Sequence, residues 1–254
     1  MFINNFDPVA FNILSLEIRW YSLAYIIGII LGWAYCKKEL IKDQHILSLF
    51  DDFITYVIIG VVLGGRIGYI IFYDLKYYIE NPFDILKVWN GGMSFHGGLI
   101  GIIVATQLFS NKHKVNKFIF LDLVALSAPI GIFFGRIANF INSELIGRAT
   151  DVPWSVQFIL VDNIKRHPSQ LYEAFFEGIF LFILLGYFFR KKYLENPGKI
   201  SALFLIFYSL FRFFIEFFRS PDSQIGYLIF NLTLGQLISI LFLVTGIFLF
   251  LFKR

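Results

Sequence analysis

The stretch LISILFLVTGIFLFLF, residues Leu237–Phe252, runs sixteen positions without one charged side chain. At a helical rise of about 1.5 Å per residue it covers most of a bilayer's hydrocarbon core, and strict strand-like alternation is absent. Working outward, Ile179–Phe189 (IFLFILLGYFF) and Ile200–Leu210 (ISALFLIFYSL) repeat the pattern. Three such runs do not fit inside one soluble core. The 33 phenylalanines, a hydrophobic fraction of 57%, a charged fraction of 16% and a mean hydropathy of +0.71 across 254 residues extend the same reading to the whole chain.

On a ruler of about 20 apolar residues per span, seven segments qualify: 20–36, 52–73, 91–109, 118–141, 169–189, 200–218 and 232–251. The expectation is an all-α polytopic membrane protein, with residues 1–254 forming a single transmembrane domain. Continuous apolar runs favour helices over a barrel. Lys and Arg are retained on the cytoplasmic side. One alternating set of loops holds twelve of them: Lys37, Lys38, Lys42, Lys112, Lys114, Lys117, Arg190, Lys191, Lys192, Lys199, Lys253 and Arg254. The other set holds seven: Arg19, Lys76, Lys87, Arg148, Lys165, Arg166 and Arg219. This predicts an outside N-terminus and a cytoplasmic C-terminus. Trp20, Trp33, Trp89 and Trp154 are expected as interface anchors, and Asp51, Asp52, Lys76 and Glu80 as ordinary loop charges.

The net charge of +4 is distributed over membrane loops, so topology explains it better than nucleic-acid binding. Cys36 is the sole cysteine, and His45, His96, His113 and His167 fall in different loops or spans. Neither a disulfide framework nor a metal site is expected, and no cofactor is implied. The first apolar run leads into Lys37-Lys38 rather than a small-residue cleavage site, which predicts a retained first helix. Internal repeats, expected of many transporters, are not visible.

Function is sought where polar groups sit at apolar depth. A charged side chain at mid-membrane costs on the order of 2.5–3.5 kcal/mol and needs a partner, water or a ligand. Beyond Arg66, three concentrations stand out. Gly91-Gly92-Met93-Ser94-Phe95-His96-Gly97-Gly98 places a proton-accepting imidazole between glycine pairs that permit close backbone approach. Gly135–Arg148 (GRIANFINSELIGR) offers a guanidinium, two amides and a carboxylate. If helical throughout, it sets Arg136, Asn139 and Glu144 near one face, and an Arg136–Glu144 ion pair is the structural alternative. In Tyr208–Arg219 (YSLFRFFIEFFR), helical offsets put Tyr208, Arg212, Glu216 and Arg219 on one stripe, with Phe and Ile left for lipid. Arg212 and Glu216 can simply neutralise each other. Arg166–Glu173 (RHPSQLYE) reads as the start of the fifth helix, with Pro168 suited to its first turn.

At these residues the chain resembles the prolipoprotein diacylglyceryl transferase family. GRIANFINSELIG, residues 135–147, is similar to that family's signature segment. GGMSFHGGLIG, RHPSQLYE, YSLFRFFIEFFR and Arg19-Trp20-Tyr21 match in order and spacing over essentially the whole chain. The resemblance implies a seven-helix enzyme of the bacterial cytoplasmic (inner) membrane, its site facing the outer leaflet. It would transfer diacylglyceryl from phosphatidylglycerol to the lipobox cysteine of a prolipoprotein signal peptide, releasing glycerol phosphate. Carried over residue by residue, the important positions are His96, Arg136, Asn139, Asn142, Glu144, Gly147, Tyr208 and Arg212, with Tyr21, Glu216 and Arg219 in support. The short stretch from Thr150 to Lys165 departs from the larger outer-side insertion expected of the family, and bears on preprotein docking.

The chemistry suits those residue types. Thioether formation needs a phosphate held, its departure stabilised and a thiol of ordinary pKa about 8.5 ionised. Arg136 and Arg212 suit the phosphate and His96 is the leading base. Glu144 or Tyr208 can orient the headgroup or relay a proton. The rival class is a transporter or lipid-headgroup binding protein, which would leave lipid and peptide covalently unchanged; an intramembrane protease is disfavoured because neither HExxH nor a nucleophile motif is present.

Overall fold

The computed structural model describes residues 2–14, 16–88, 91–191, 196–221 and 226–252. Trp89, Lys192, Lys253 and Arg254, used above for anchoring and orientation, lie outside them. The described chain is mostly helical, and a helix occupies each of the seven apolar segments. By length and apolarity, four helical stretches among the described residues are able to cross a membrane: Gln44–Tyr73, Lys117–Ile141, Ser169–Arg190 and Leu234–Phe252. Large side chains such as Leu241, Val244, Phe248 and Leu251 stand exposed, as helices surrounded by lipid require.

The chain forms two compact units. The first, residues 1–36 with 122–254, begins with β1 (Phe2–Asn4) and a β2 (Val9–Ile13)/β3 (Leu16–Arg19) antiparallel hairpin that leads into α1 (Trp20–Tyr35). It closes with α8 (Lys199–Ile215) and α9 (Leu234–Phe252). The second, residues 37–121, contains α2 (Gln44–Tyr73), α3 (Leu75–Glu80) and α4 (Phe95–His113). Helix α5 (Lys117–Ile141) starts in the second unit and runs through the first.

In the second unit, α2 begins eight residues before the predicted apolar limit because Asp43 caps it, its carboxylate accepting from the His45 and Ile46 amides. Asp51 and Asp52 therefore lie on a helix, not in a loop, and Asp51 pairs with Lys37 at 2.8 Å. Lys76 and Glu80 likewise belong to α3. Helices α2 and α4 touch through Gly60, Gly64 and Gly68 facing Gly97 and Gly101. A Cβ on Gly101 would stand 2.0 Å from the Gly60 carbonyl oxygen. Small residues at four-residue intervals let the two backbones meet where lipid supplies no hydrophobic drive.

Arg66 lies in the same unit, 4% exposed within the apolar α2. Its guanidinium donates to the carbonyls of Asp84, Ile85, Lys87, Gly91 and Gly92, at 2.5–3.2 Å. Five oxygens replace the water it gave up, and the Gly91-Gly92 turn, at φ of +83° and +79°, is fastened to α2. Ser94 then caps α4 by accepting from the Gly97 amide.

In the first unit β4 (Val156–Phe158) pairs parallel with β1 and antiparallel with β5 (Lys165–Arg166). The short stretch flagged from Thr150 to Lys165 thus supplies strand β4 and leads into β5, packed as Val156 and Phe158 against Phe140. After β5 the chain enters α6 (Ser169–Glu173), passes through a π-helical turn at Ala174–Phe180 and continues as α7 (Leu181–Arg190). The wide turn interrupts the ordinary helical hydrogen bonding, as π-bulges at functional sites often do.

Candidate functional site

Six charged residues, three arginines and three glutamates, converge inside the first unit. Arg136 from α5 approaches Glu173 with Nε at 3.1 Å and Glu177 with Nη2 at 3.5 Å. Arg212 from α8 donates to the other oxygen of Glu173 and reaches Glu216 at 2.8 Å. Glu173 therefore bridges the two guanidinium groups with one carboxylate. Arg219 stands 3.6 Å from Glu216, whose second oxygen accepts from Thr233 Oγ1 at 3.0 Å. Gly235 on α9 makes room for that carboxylate, since a Cβ there would lie 3.0 Å from it.

Three arginines face three glutamates, so the cluster is balanced in formal charge. Glu173 and Glu177 are wholly buried, whereas the Arg136 side chain keeps 18% of its surface open. Isolated charges at this depth would cost several kcal/mol each; the pairing offsets that cost and fixes both forks in place. Such fixed guanidinium groups suit a phosphate, which they bind bidentately.

A second group follows where α5 ends. The expectation that Glu144 shares Arg136's helical face is incorrect: α5 stops at Ile141, and Ser143 and Leu145 take left-handed φ of 57° and 53°. Glu144 turns away to accept from Asn139 Nδ2 at 3.0 Å and Asn142 Nδ2 at 3.3 Å. The Arg136–Glu144 ion pair does not form; the partners of Arg136 are Glu173 and Glu177. Likewise Arg212 and Glu216 do pair, but Arg212 also serves Glu173, so mutual neutralisation does not exhaust it.

The loop is then tied to the elements carrying the cluster. The Glu144 and Leu145 carbonyls accept from Gln170 and Ser169 on α6. Gly147 bridges Arg219, and its carbonyl accepts from Arg166 Nη1 and Ser220 Oγ. A side chain at Gly147 would meet the His167 carbonyl at 2.1 Å, so only glycine permits this approach. Outside the spans, hydrogen bonds from Arg166 hold the Asp162 carboxyl below its ordinary pKa. Burial lowers that of His167, whose Nδ1 is 3.1 Å from the Tyr172 hydroxyl. Trp154 donates to the same hydroxyl, giving this exposed indole a polar partner.

Tyr208 lies one turn before Arg212 on α8, stacked on Phe204. Tyr21 sits at the start of α1 with its hydroxyl 3.3 Å from that of Tyr25. His96, half-buried on the first turn of α4, belongs to the second unit. Phe214, Phe217 and Phe218 are exposed beside the polar stripe, while Ile215 is buried.

Sequence reasoning missed Glu173 and Glu177. The signal was present: two carboxylates at i, i+4 inside an apolar run demand partners as strongly as Arg136 and Arg212 do. Cys36 is buried, its Sγ 3.6 Å from the Leu123 carbonyl. Among the described residues no set of three His, Cys, Asp or Glu side chains is arranged for a metal ion.

Comparison with known proteins places these motifs in context. A family model described as prolipoprotein diacylglyceryl transferase matches residues 8–252. A curated Rickettsia felis protein named phosphatidylglycerol–prolipoprotein diacylglyceryl transferase is 50% identical over 248 residues, spanning 96% of each chain. The like-named protein of Rickettsia canadensis is 51% identical over 249 residues, 97% of this chain and 96% of its own. That of Rickettsia typhi is 49% identical over 252 residues, 98% of this chain and 97% of its own.

Proposed function

Because the chain belongs to the prolipoprotein diacylglyceryl transferase family, we propose that it moves the diacylglyceryl group of phosphatidylglycerol onto the thiol of a prolipoprotein's lipobox cysteine. The observation that carries the residue assignment is the buried Arg136–Glu173–Arg212 bridge. Two immobilised guanidinium groups at apolar depth suit a lipid phosphate better than any soluble ligand.

In this reading Arg136 and Arg212 hold the phosphate and gather the charge that develops as it leaves. Asn139, Asn142, Glu144 and Gly147 shape the headgroup site, with Tyr21, Glu216 and Arg219 in support. Tyr208 borders it from the turn before Arg212. His96 takes the thiol proton. Sulfur attacks the glycerol carbon, the carbon–oxygen bond breaks, and glycerol phosphate departs. Residues 1–254 act as one catalytic domain of seven spans, N-terminus outside and C-terminus cytoplasmic, in the bacterial inner membrane with the site open to the outer leaflet. The partners are phosphatidylglycerol, membrane lipids and lipobox signal peptides.

Arg136→Ala and His96→Gln separate the roles. Peptide mass, followed with phosphatidylglycerol in excess, is expected to show no transfer with Arg136→Ala in folded protein and a slow rate with His96→Gln that recovers as pH rises and the thiol ionises unaided. Wild-type transfer by Arg136→Ala would remove Arg136 from the site. A His96→Gln rate that matches wild type would assign the proton to another acceptor.

A further inference from the structure

Glu177 differs from the other acids of the cluster. Glu173 accepts a hydrogen bond from Arg212 and Glu216 accepts one from Thr233, but neither oxygen of Glu177 has a hydrogen-bond donor among the described residues. The side chain is fully buried in the π-helical turn, and its nearest cations stand at 3.5 Å (Arg136) and 3.9 Å (Arg212). Around it are Arg136 from α5, Glu173 from α6, Tyr208 and Arg212 from α8, and Arg219 beyond α8. A fully buried carboxylate without donors is costly, and of the three glutamates Glu177 is the one that can be neutralised without giving up a hydrogen bond.

The proposed reaction changes the charge at this place. Phosphatidylglycerol carries one negative charge on its phosphodiester; the departing glycerol phosphate is a monoester that carries close to two once its second proton, of pKa about 6, is gone. The thiol simultaneously loses a proton. Resting on the phosphate-holding reading of Arg136 and Arg212, we propose that Glu177 is a proton store that takes up one proton as the second negative charge appears on the phosphate. The sulfur–carbon bond forms, the carbon–oxygen bond breaks, His96 passes the proton it takes from sulfur to water, and one proton reaches Glu177 in its place, so the proton count balances. The charge of the buried cluster plus phosphate is thereby unchanged across the step, and Glu177 gives up the proton when glycerol phosphate leaves. Glu177 touches neither sulfur nor the reacting carbon; it acts through the two arginines.

The test is calorimetric titration of the purified 254-residue protein at pH 8 with glycerol phosphate and, separately, with glycerophosphoglycerol, each in two buffers of different ionisation enthalpy. Wild type is expected to take up about one proton more per bound monoester than per bound diester. Glu177→Gln, which mimics the protonated carboxyl, is expected to bind both and take up none. Equal proton counts for the two probes in wild type, or uptake that persists in Glu177→Gln, overturn the proposal. Saturable binding of neither probe to folded wild type would instead remove the phosphate site on which it rests. Should Glu177→Gln not fold, infrared difference spectra with the monoester decide: a protonated-carboxyl band is expected in wild type and displaced in Glu177→Asp, and its absence refutes the assignment.

Discussion

Glu173→Gln removes the single charge that joins the two arginines while keeping the volume of the side chain. Arg212 retains Glu216 at 2.8 Å, but Arg136 is left with Glu177 at 3.5 Å. Removing one partner of a buried pair costs about 3–5 kcal/mol, and the 18% exposure of Arg136 with the surviving contacts places the loss near the lower end, ~3 kcal/mol. If that loss falls on the transition state, kcat/KM drops by on the order of 10²-fold, at 1.36 kcal/mol per decade. Transfer to a one-cysteine lipobox peptide measures the rate, and thermal unfolding in the same detergent measures stability. Glu144→Gln is the comparator: its exposed carboxylate meets only two amides, so its stability changes by about 1 kcal/mol or less. Wild-type rate and unfolding temperature in Glu173→Gln would show that the bridge does not organise the arginines.

Four further outcomes are expected. Gly101→Ala forces a methyl against the Gly60 carbonyl, so thermal unfolding should fall by about 1–3 kcal/mol as α2 and α4 part. Gly147→Ala meets the His167 carbonyl at 2.1 Å, and is expected to abolish transfer while the protein still inserts, as peptide mass and membrane fractionation would report. Arg66→Lys offers three donors for five carbonyls and should destabilise by roughly 2–4 kcal/mol, with lower turnover from a loosened Gly91–His96 segment. Asp162 has a folded pKa below its unfolded value, so its pairing with Arg166 stabilises above about pH 4 and is lost as pH falls through the folded pKa. Being part-exposed and outside the spans, that pair is worth about 1 kcal/mol or less, and Asp162→Asn should flatten the acid limb of stability by no more.

Apart from the start of α2, the apolar segments place the long helices within a few residues, because lipid leaves the backbone few ways to satisfy itself over such runs. The early start of α2 escaped, since Asp43 extends the helix into polar sequence where hydropathy gives no guidance. The arginines are legible from the cost of their charge, and Glu173 and Glu177 carry an equal cost within an apolar run. Reading GRIANFINSELIGR as one helix failed for a local reason: two left-handed residues after Ile141 redirect Glu144. The strands β1, β4 and β5 are short, and the β1–β4 pairing joins Phe2 to Val156, beyond the reach of periodicity.

The most direct test is to supply folded protein with phosphatidylglycerol and a single-cysteine lipobox peptide, then weigh the peptide and quantify released glycerol phosphate. A mass gain of one diacylglyceryl on sulfur, matched mole for mole by glycerol phosphate and absent with Arg136→Ala, is the predicted result. An unmodified peptide and intact lipid, from protein that binds phosphatidylglycerol, would contradict the transfer and leave a headgroup-binding or transport protein in its place.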